Sequence, residues 1–325
     1  MKKFIDIAAA FSIFALMSAL SVSALAAEGS FERTLQVNGS VNIDLDTGSG
    51  NVQIHSGSSQ QVQVTGHIKV TNWFGGNDSE DKVKRIEANP PIQQSGNDIR
   101  IGHIDDPELR RNISISYDVT VPPETQLHSH TGSGNQRIEG IRGPIEIDSG
   151  SGDLKLSSIG NTVRAGAGSG NIEIDGVKGN VRAKTGSGTV RATNVAGGFE
   201  GSTGSGNLTL EQTAPGSVRA DTGSGDVELR GVRGSLEARA GSGTIRAEGE
   251  PTGGWTVHTG SGTVQLKFPS AVSFDLMAHT GSGSISLDHP ITVQGTIGRK
   301  EVRGKVGGGG VSVEVQTGSG NIEIQ

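Results

Sequence analysis

The stretch AGSGNIEIDGVKGNVRAK, Ala167 to Lys184, decides the fold. Ile172 and Ile174 alternate with Asn171 and Glu173; after a glycine-containing break, Val181 and Ala183 alternate with Arg182 and Lys184. Alternation with a period of two marks strands buried on one face. A strand of about five residues spans ~17 Å. Eighteen residues therefore suit two strands and two corners, which is one coil of a β-solenoid.

The same words recur along the chain. GSG triplets begin at Gly48, Gly132, Gly150, Gly168, Gly186, Gly204, Gly223, Gly241, Gly260, Gly281 and Gly318. From Gly132 the steps are 18, 18, 18, 18, 19, 18, 19, 21 and 37, and the last contains the irregular stretch Gly295 to Gly310. A fixed period of this size signifies stacked units. Stacking in sequence order makes columns of equivalent residues. The first inward column is aliphatic from Leu154 through Ile172, Val190 and Leu208 to Val264, Ile285 and Ile322; Gln136, at the expected boundary of the regular array, is its polar exception. On the opposite strand, Val163, Val181, Phe199, Val218, Leu236 and Trp255 precede the small set Ala165, Ala183, Gly201, Ala220 and Ala238, so the interior is narrow there.

The outward column Lys155, Glu173, Arg191 and the pair Glu228, Arg246 place opposite charges one coil apart, favouring register more than stability. At the corner, Thr185 shares parity with Ala183 and points inward, where its hydroxyl can bond a turn N–H or the next threonine. Gly186 and Gly188 are expected to supply backbone angles closed to other residues. Asn171, Asn207 and Asn321, with Asp153, Asp226 and Thr189 as substitutes, are placed to form a hydrogen-bonded ladder.

The chain of 325 residues opens with Lys2 and Lys3, an apolar stretch and Ala24-Leu25-Ala26, a secretory signal with Ala27 as the expected first mature residue. No apolar run after it is long enough for a transmembrane anchor. Removing its net +1 takes the formal charge from −6 to near −7. There is no cysteine, so packing and hydrogen bonds must hold the exported fold. Lysines and arginines are scattered singly, which argues against nucleic acid as a partner. The organisation read from the sequence is residues 1–26 as signal peptide, 27–125 as an irregular β-rich part or cap, and 126–325 as the regular TGSG-repeat solenoid. Within the second, residues 78–88 read as a short helix, with Glu80 and Asp81 early, Lys84 and Arg85 late, and Pro90-Pro91 as the stop.

SYDVTVPPETQLHSHTGSGNQRIEG, Ser116 to Gly140, followed by repeated TGSG corners and a terminal TGSGNI, resembles the bacterial putative-adhesin family of β-strand-repeat proteins, whose function is unknown. The resemblance covers nearly all the mature chain. It implies a β-solenoid or prism outside the cytoplasm and transfers no catalytic residue.

Reactive motifs are scarce. Gly186-Ser187-Gly188 lacks the third glycine and the following helix of a dinucleotide loop, and the serines stand in GSG rather than GxSxG. A calcium-stabilised β-roll shares the period, but here the position two after the second glycine is apolar, and Asp153 and Asp226 stand alone among Asn and Thr. His128 and His130 share a strand face, and His258 and His279 are expected to be column neighbours. These four are the weak candidates for a transition metal; a solvated column that accepts any polar residue, and also holds Asp148, Lys184, Asp221 and Arg239, is the favoured reading. A carbohydrate-active β-helix needs clustered acids and aromatic platforms, yet Trp255 falls on an inward column. The sequence thus predicts an all-β, single-chain solenoid of about 18 residues and two strands per coil. It predicts no enzyme activity, cofactor or metal, and a periplasmic, surface or secreted location. The expected partner is a cell-envelope or extracellular protein or glycan.

Overall fold

The computed structural model describes residues 27–58, 60–70, 77–293 and 298–325; the signal peptide read at 1–26, and Trp73, lie outside them. Two parallel-strand sheets face each other, one of 14 strands (sheet A) and one of 15 (sheet B). Each coil contributes one strand to each. In the Thr185 coil, Val181–Thr185 runs in sheet B, the corner follows, and Val190–Val195 runs in sheet A. Val163, Val181 and Phe199 lie side by side, as do Ile172, Val190 and Leu208, so residues eighteen apart are neighbours.

The alternation becomes a dry, narrow core. Ile172, Ile174, Val181 and Ala183 are buried, and so are their equivalents along the stack except Ile285 and Leu287 of the end strand, which are half-buried. Small residues opposite the aliphatic rows set the spacing: a Cβ on Gly201 would come within 2.5 Å of the Phe199 ring. Trp255 is wholly buried, its ring 5.1 Å from that of Phe268, and its Nε1–H donates to the Gly234 carbonyl at 3.0 Å. Gln136 lies in an interior coil, between Val52 and Leu154, rather than at a boundary. Its Nε2 donates to the Asp148 carbonyl at 2.7 Å.

The TGSG corner is held by its first residue. Thr185 is buried; its hydroxyl accepts from Gly188 N–H at 3.2 Å and donates to the Gly170 carbonyl of the preceding coil at 2.8 Å. Thr131, Ser149, Thr203, Thr222, Thr259, Thr280 and Thr317 donate to the equivalent carbonyls. Each hydroxyl thus ties its corner to the adjacent coil of the stack, not to the neighbouring threonine, and at Thr131 and Ser149, as at Thr185, it also accepts from its own turn. The expected role of the glycines changes as well. Gly186 and Gly188 do not have positive φ; a Cβ on them would lie 2.4 and 2.0 Å from the carbonyl oxygens of Gly168 and Gly170. Close stacking, not backbone angle, demands glycine there. Left-handed residues turn the opposite corner at Ser158, Gly176 and Asn194, and in the later coils the second glycine of the TGSG corner, as at Gly225, Gly243 and Gly262, does take a positive φ.

The Asx ladder is present: Asn135 Oδ1 accepts from Asp153 N–H, Asp153 Oδ1 from Asn171 N–H, and Asn171 Oδ1 from Thr189 N–H, at 2.8, 2.8 and 2.9 Å. The outward charges pair only in part. Lys155 meets Glu173 at 2.9 Å, but Glu228 turns to Arg230 on its own strand, and Arg246 bonds Gln265 instead.

Sequence order fails at both ends of the stack. The Thr47 coil (Asn42–Thr47 and Val52–Ser56) sits directly on the Thr131 coil, with Thr47 beside Thr131. The residues between leave the stack and close it. Ile113–Val121 extends sheet A, and Gln61–Val70 and Glu28–Gln36 follow antiparallel. The helix Asn77–Ala88 buries Val83 and Ile86, and its Glu87 accepts from Ser30 N–H at 2.9 Å. In sheet B, Asp98–Ile101 and the antiparallel Ile92–Ser95 do the same.

At the far end the Thr317 coil inserts between the Thr259 and Thr280 coils: Val313 pairs with both Trp255 and Leu276. Glu301–Val306 lies antiparallel on the outer side of Phe274–Ser282, with Val306 beside Phe274 on one side and Val311 beside it on the other. Gly307, Gly309 and Gly310, all with positive φ, carry the chain across that strand's start. A column read straight from Val264 to Ile285 to Ile322 is therefore out of order; Ile322 lies between them.

Candidate interaction face

Outward positions of sheet B form two columns that run the length of the stack. One passes through His128, Glu146, Arg164, Arg182, Glu200, Arg219, Glu237 and Thr256; the other through His130, Asp148, Gly166, Lys184, Ser202, Asp221, Arg239 and His258. Parallel pairing keeps successive members about 4.8 Å apart.

The middle of this face is a shallow trough of about 720 Å³ that crosses six strands, from Thr162–Arg164 to Gly254–Thr256. Arg182 bonds Glu200 at 3.2 Å, and Lys184 reaches the same carboxylate at 3.3 Å. Arg219 bonds Glu237 at 2.7 Å and Asp221 at 2.9 Å. The hydrogen bond to Asp221, and then its charge and that of Glu237, raise the Arg219 pKa and hold the guanidinium protonated. Arg239 pairs with Glu237. Arg164 lies in register between Glu146 and Arg182, exposed, and forms no ion pair among the described residues.

The histidines stand elsewhere on the same face. His128 Nδ1 is 3.2 Å from Asp44 Oδ1, both side chains half exposed. His130 lies in register between Asp46 and Asp148. Burial, then the charge of Glu146, raises the Asp148 pKa, and the two histidines act against that. His258 and His279 are not column neighbours. Gln316 of the inserted strand separates them, pairing with each, so they stand two rungs, ~10 Å, apart. Among the described residues no three His, Asp or Glu side chains gather where a metal ion would be held. Asp153 and Asp226, the carboxylates a calcium roll would need, accept from the backbone N–H groups of Asn171 and Thr244 at 2.8 Å.

The trough arginines were only partly legible. The sequence shows that Arg182, Glu200, Arg219 and Glu237 share outward parity; it does not show that they line one depression.

The family model for Toastrack DUF4097 matches residues 41–325. This chain belongs to the Toastrack DUF4097 family. The matched span begins with the Thr47 coil and leaves out the outermost capping strand, Glu28–Gln36. No curated protein matches the chain. Among solved structures, this Toastrack chain is similar to a "putative cell adhesion protein" from Clostridium sporogenes ATCC 15579, at 9% identity over 92% of this chain and 99% of that one, with a TM-score of 0.22. It is also similar to a "putative adhesin" from Bacteroides fragilis NCTC 9343, at 12% identity over 91% and 97% of the two chains, with a TM-score of 0.30. No helix among the described residues is long and apolar enough to cross a membrane.

Proposed function

We propose that this Toastrack protein is an exported, non-enzymatic scaffold, adhesin-like, that binds a cell-envelope or extracellular partner through the outer face of sheet B. The observation that supports this is the trough itself, a continuous exposed depression spanning six rungs of a rigid stack. Side chains on such a stack are fixed by hydrogen-bonded registers on both sides, so a partner meets a preorganised surface. The lysine start and Ala24-Leu25-Ala26 support export.

The direct test mixes purified chain with intact bacteria and with envelope fragments, and measures retention. Retention that falls when trough arginines are reversed in charge supports the reading. Sustained release of small products from an envelope polymer would identify an enzyme instead. Export is checked separately, by mass spectrometry of the recovered protein, with Ala27 expected at its N-terminus.

A further inference from the structure

We infer that the sheet B trough takes a linear acidic glycan, a polymer bearing carboxylates, laid along the solenoid axis across the strands. This rests on the proposed use of that face for binding and goes further by naming the ligand class.

Charge points to an anion. Four arginines, Arg164, Arg182, Arg219 and Arg239, line the trough against two glutamates, Glu200 and Glu237. That leaves a surplus of two positive charges on a chain whose formal net charge is −6. Beside it Lys184 and Asp221 cancel, and Glu146, in register next to Arg164, reduces the surplus to one. The surplus is concentrated where Arg164 and Arg182 stand side by side in parallel register, a like-charge contact that costs stability unless an anion bridges it. Arg182 has Glu200 as a partner; Arg164 has none among the described residues and projects into solvent. A guanidinium offers two parallel N–H donors that match a carboxylate.

Geometry points to a linear polymer. The trough crosses six strands, so its floor is about 24 Å long at the parallel-strand spacing. A chain laid along it meets a new pair of outward side chains at every rung. Thr162, Asn180, Ser217, Ser235 and Thr256 border this floor with hydroxyl and amide groups suited to sugar hydroxyls. Asn180 Oδ1 is already committed to Gly198 N–H at 2.8 Å, which turns the amide nitrogen outward as a donor. The aromatic side chains at this level, Phe199 and Trp255, are buried in the core. Stacking on neutral sugars is therefore absent from the trough floor, and recognition rests on charge and hydrogen bonds.

The experiment measures binding of the purified full chain to polygalacturonate, to neutral dextran and to single-stranded DNA at low and moderate salt. Polygalacturonate is expected to bind and dextran not, with affinity falling as salt rises. Arg164→Glu is expected to weaken polygalacturonate binding about tenfold or more. Arg164→Lys, which keeps the charge but loses the paired donors, should weaken binding less than Arg164→Glu while falling short of the unaltered chain. Arg191→Glu, on the outer face of sheet A, should change it by less than about twofold. Matching thermal melts show that each variant is folded. The inference is overturned if polygalacturonate binds no better than dextran, if Arg191→Glu weakens it as much as Arg164→Glu, or if DNA binds the trough as tightly. Retention on envelope fragments that depends on Arg164 without any polygalacturonate binding sinks the glycan assignment and leaves the scaffold reading standing. Loss of both sinks both.

Discussion

At the scale of the residue, the TGSG corner is a packing device that a short glycine-rich motif can disguise as a binding loop. Thr185 uses its hydroxyl twice, as acceptor for its own turn and donor to the coil before. Thr185→Val keeps the shape and leaves both groups without a partner, so it should cost about 1–3 kcal/mol in urea unfolding. Two coils lack this hydroxyl, at Ala167 and Ala240. Ala240 is buried beside Thr222 and Thr259, so Ala240→Thr should restore a bond to Gly225 and stabilise by about 1 kcal/mol. A crowded second glycine and an open first glycine give a sharper contrast. A Cβ on Gly188 would meet the Gly170 carbonyl at 2.0 Å, whereas one on Gly48 meets nothing within 4 Å. Gly188→Ala should lose about 3 kcal/mol or more while Gly48→Ala stays within about 0.5 kcal/mol, both read from chemical denaturation. Asp148 supplies a pH test. Its raised pKa means the folded state holds the proton more tightly than the unfolded chain, so ionisation costs stability above that raised value and the cost is relieved as pH falls through it. Asp148→Asn should therefore raise Tm at neutral pH, with the difference vanishing in acid.

At the scale of the element, strands of nearly the same sequence differ in worth according to where they lie. Ile285–Leu287 is the last strand of sheet A and its side chains are half-buried, while Ile322–Ile324 is interior and buried. Ile322→Ala should cost about 3 kcal/mol and Ile285→Ala about 1 kcal/mol. The sequence places both in one aliphatic column because GSISL and GNIEI carry the same alternation. It also marks the helix Asn77–Ala88 to within a residue, because charge bias and the following prolines are local signals. What that helix covers is not wholly local: it packs on Glu28–Gln36, far back in the sequence, as well as on the preceding strand Gln61–Val70.

At the scale of the whole molecule, the stack is closed by segments that leave it and return. Parallel strands at a bare end would expose unpaired N–H and C=O groups, and the antiparallel strands at both ends of sheet B satisfy them. Because the Thr317 coil is an interior layer, removing residues 311–325 should not merely trim an end. It should leave Phe274–Ser282 without its inner neighbour, and amide exchange there should become fast while the Thr185 coil stays protected. Slow exchange retained in Phe274–Ser282 would contradict this layer order.

By itself the sequence determined the coil, its length, its two strands, its inward and outward faces and its Asx ladder, because each is fixed by alternation and by repetition at eighteen residues. It did not determine the order of the last coils, because every TGSG coil offers its neighbour the same hydrogen-bonding edge and an aliphatic interior. Tertiary structure broke that tie by placing Glu301–Val306 antiparallel on one side of Phe274–Ser282 and crossing the chain to the other side through Gly307–Gly310. That choice separated His258 from His279. The trough was legible only as parity, since gathering Arg164, Arg182, Arg219 and Arg239 onto one floor requires the sheets to be built first.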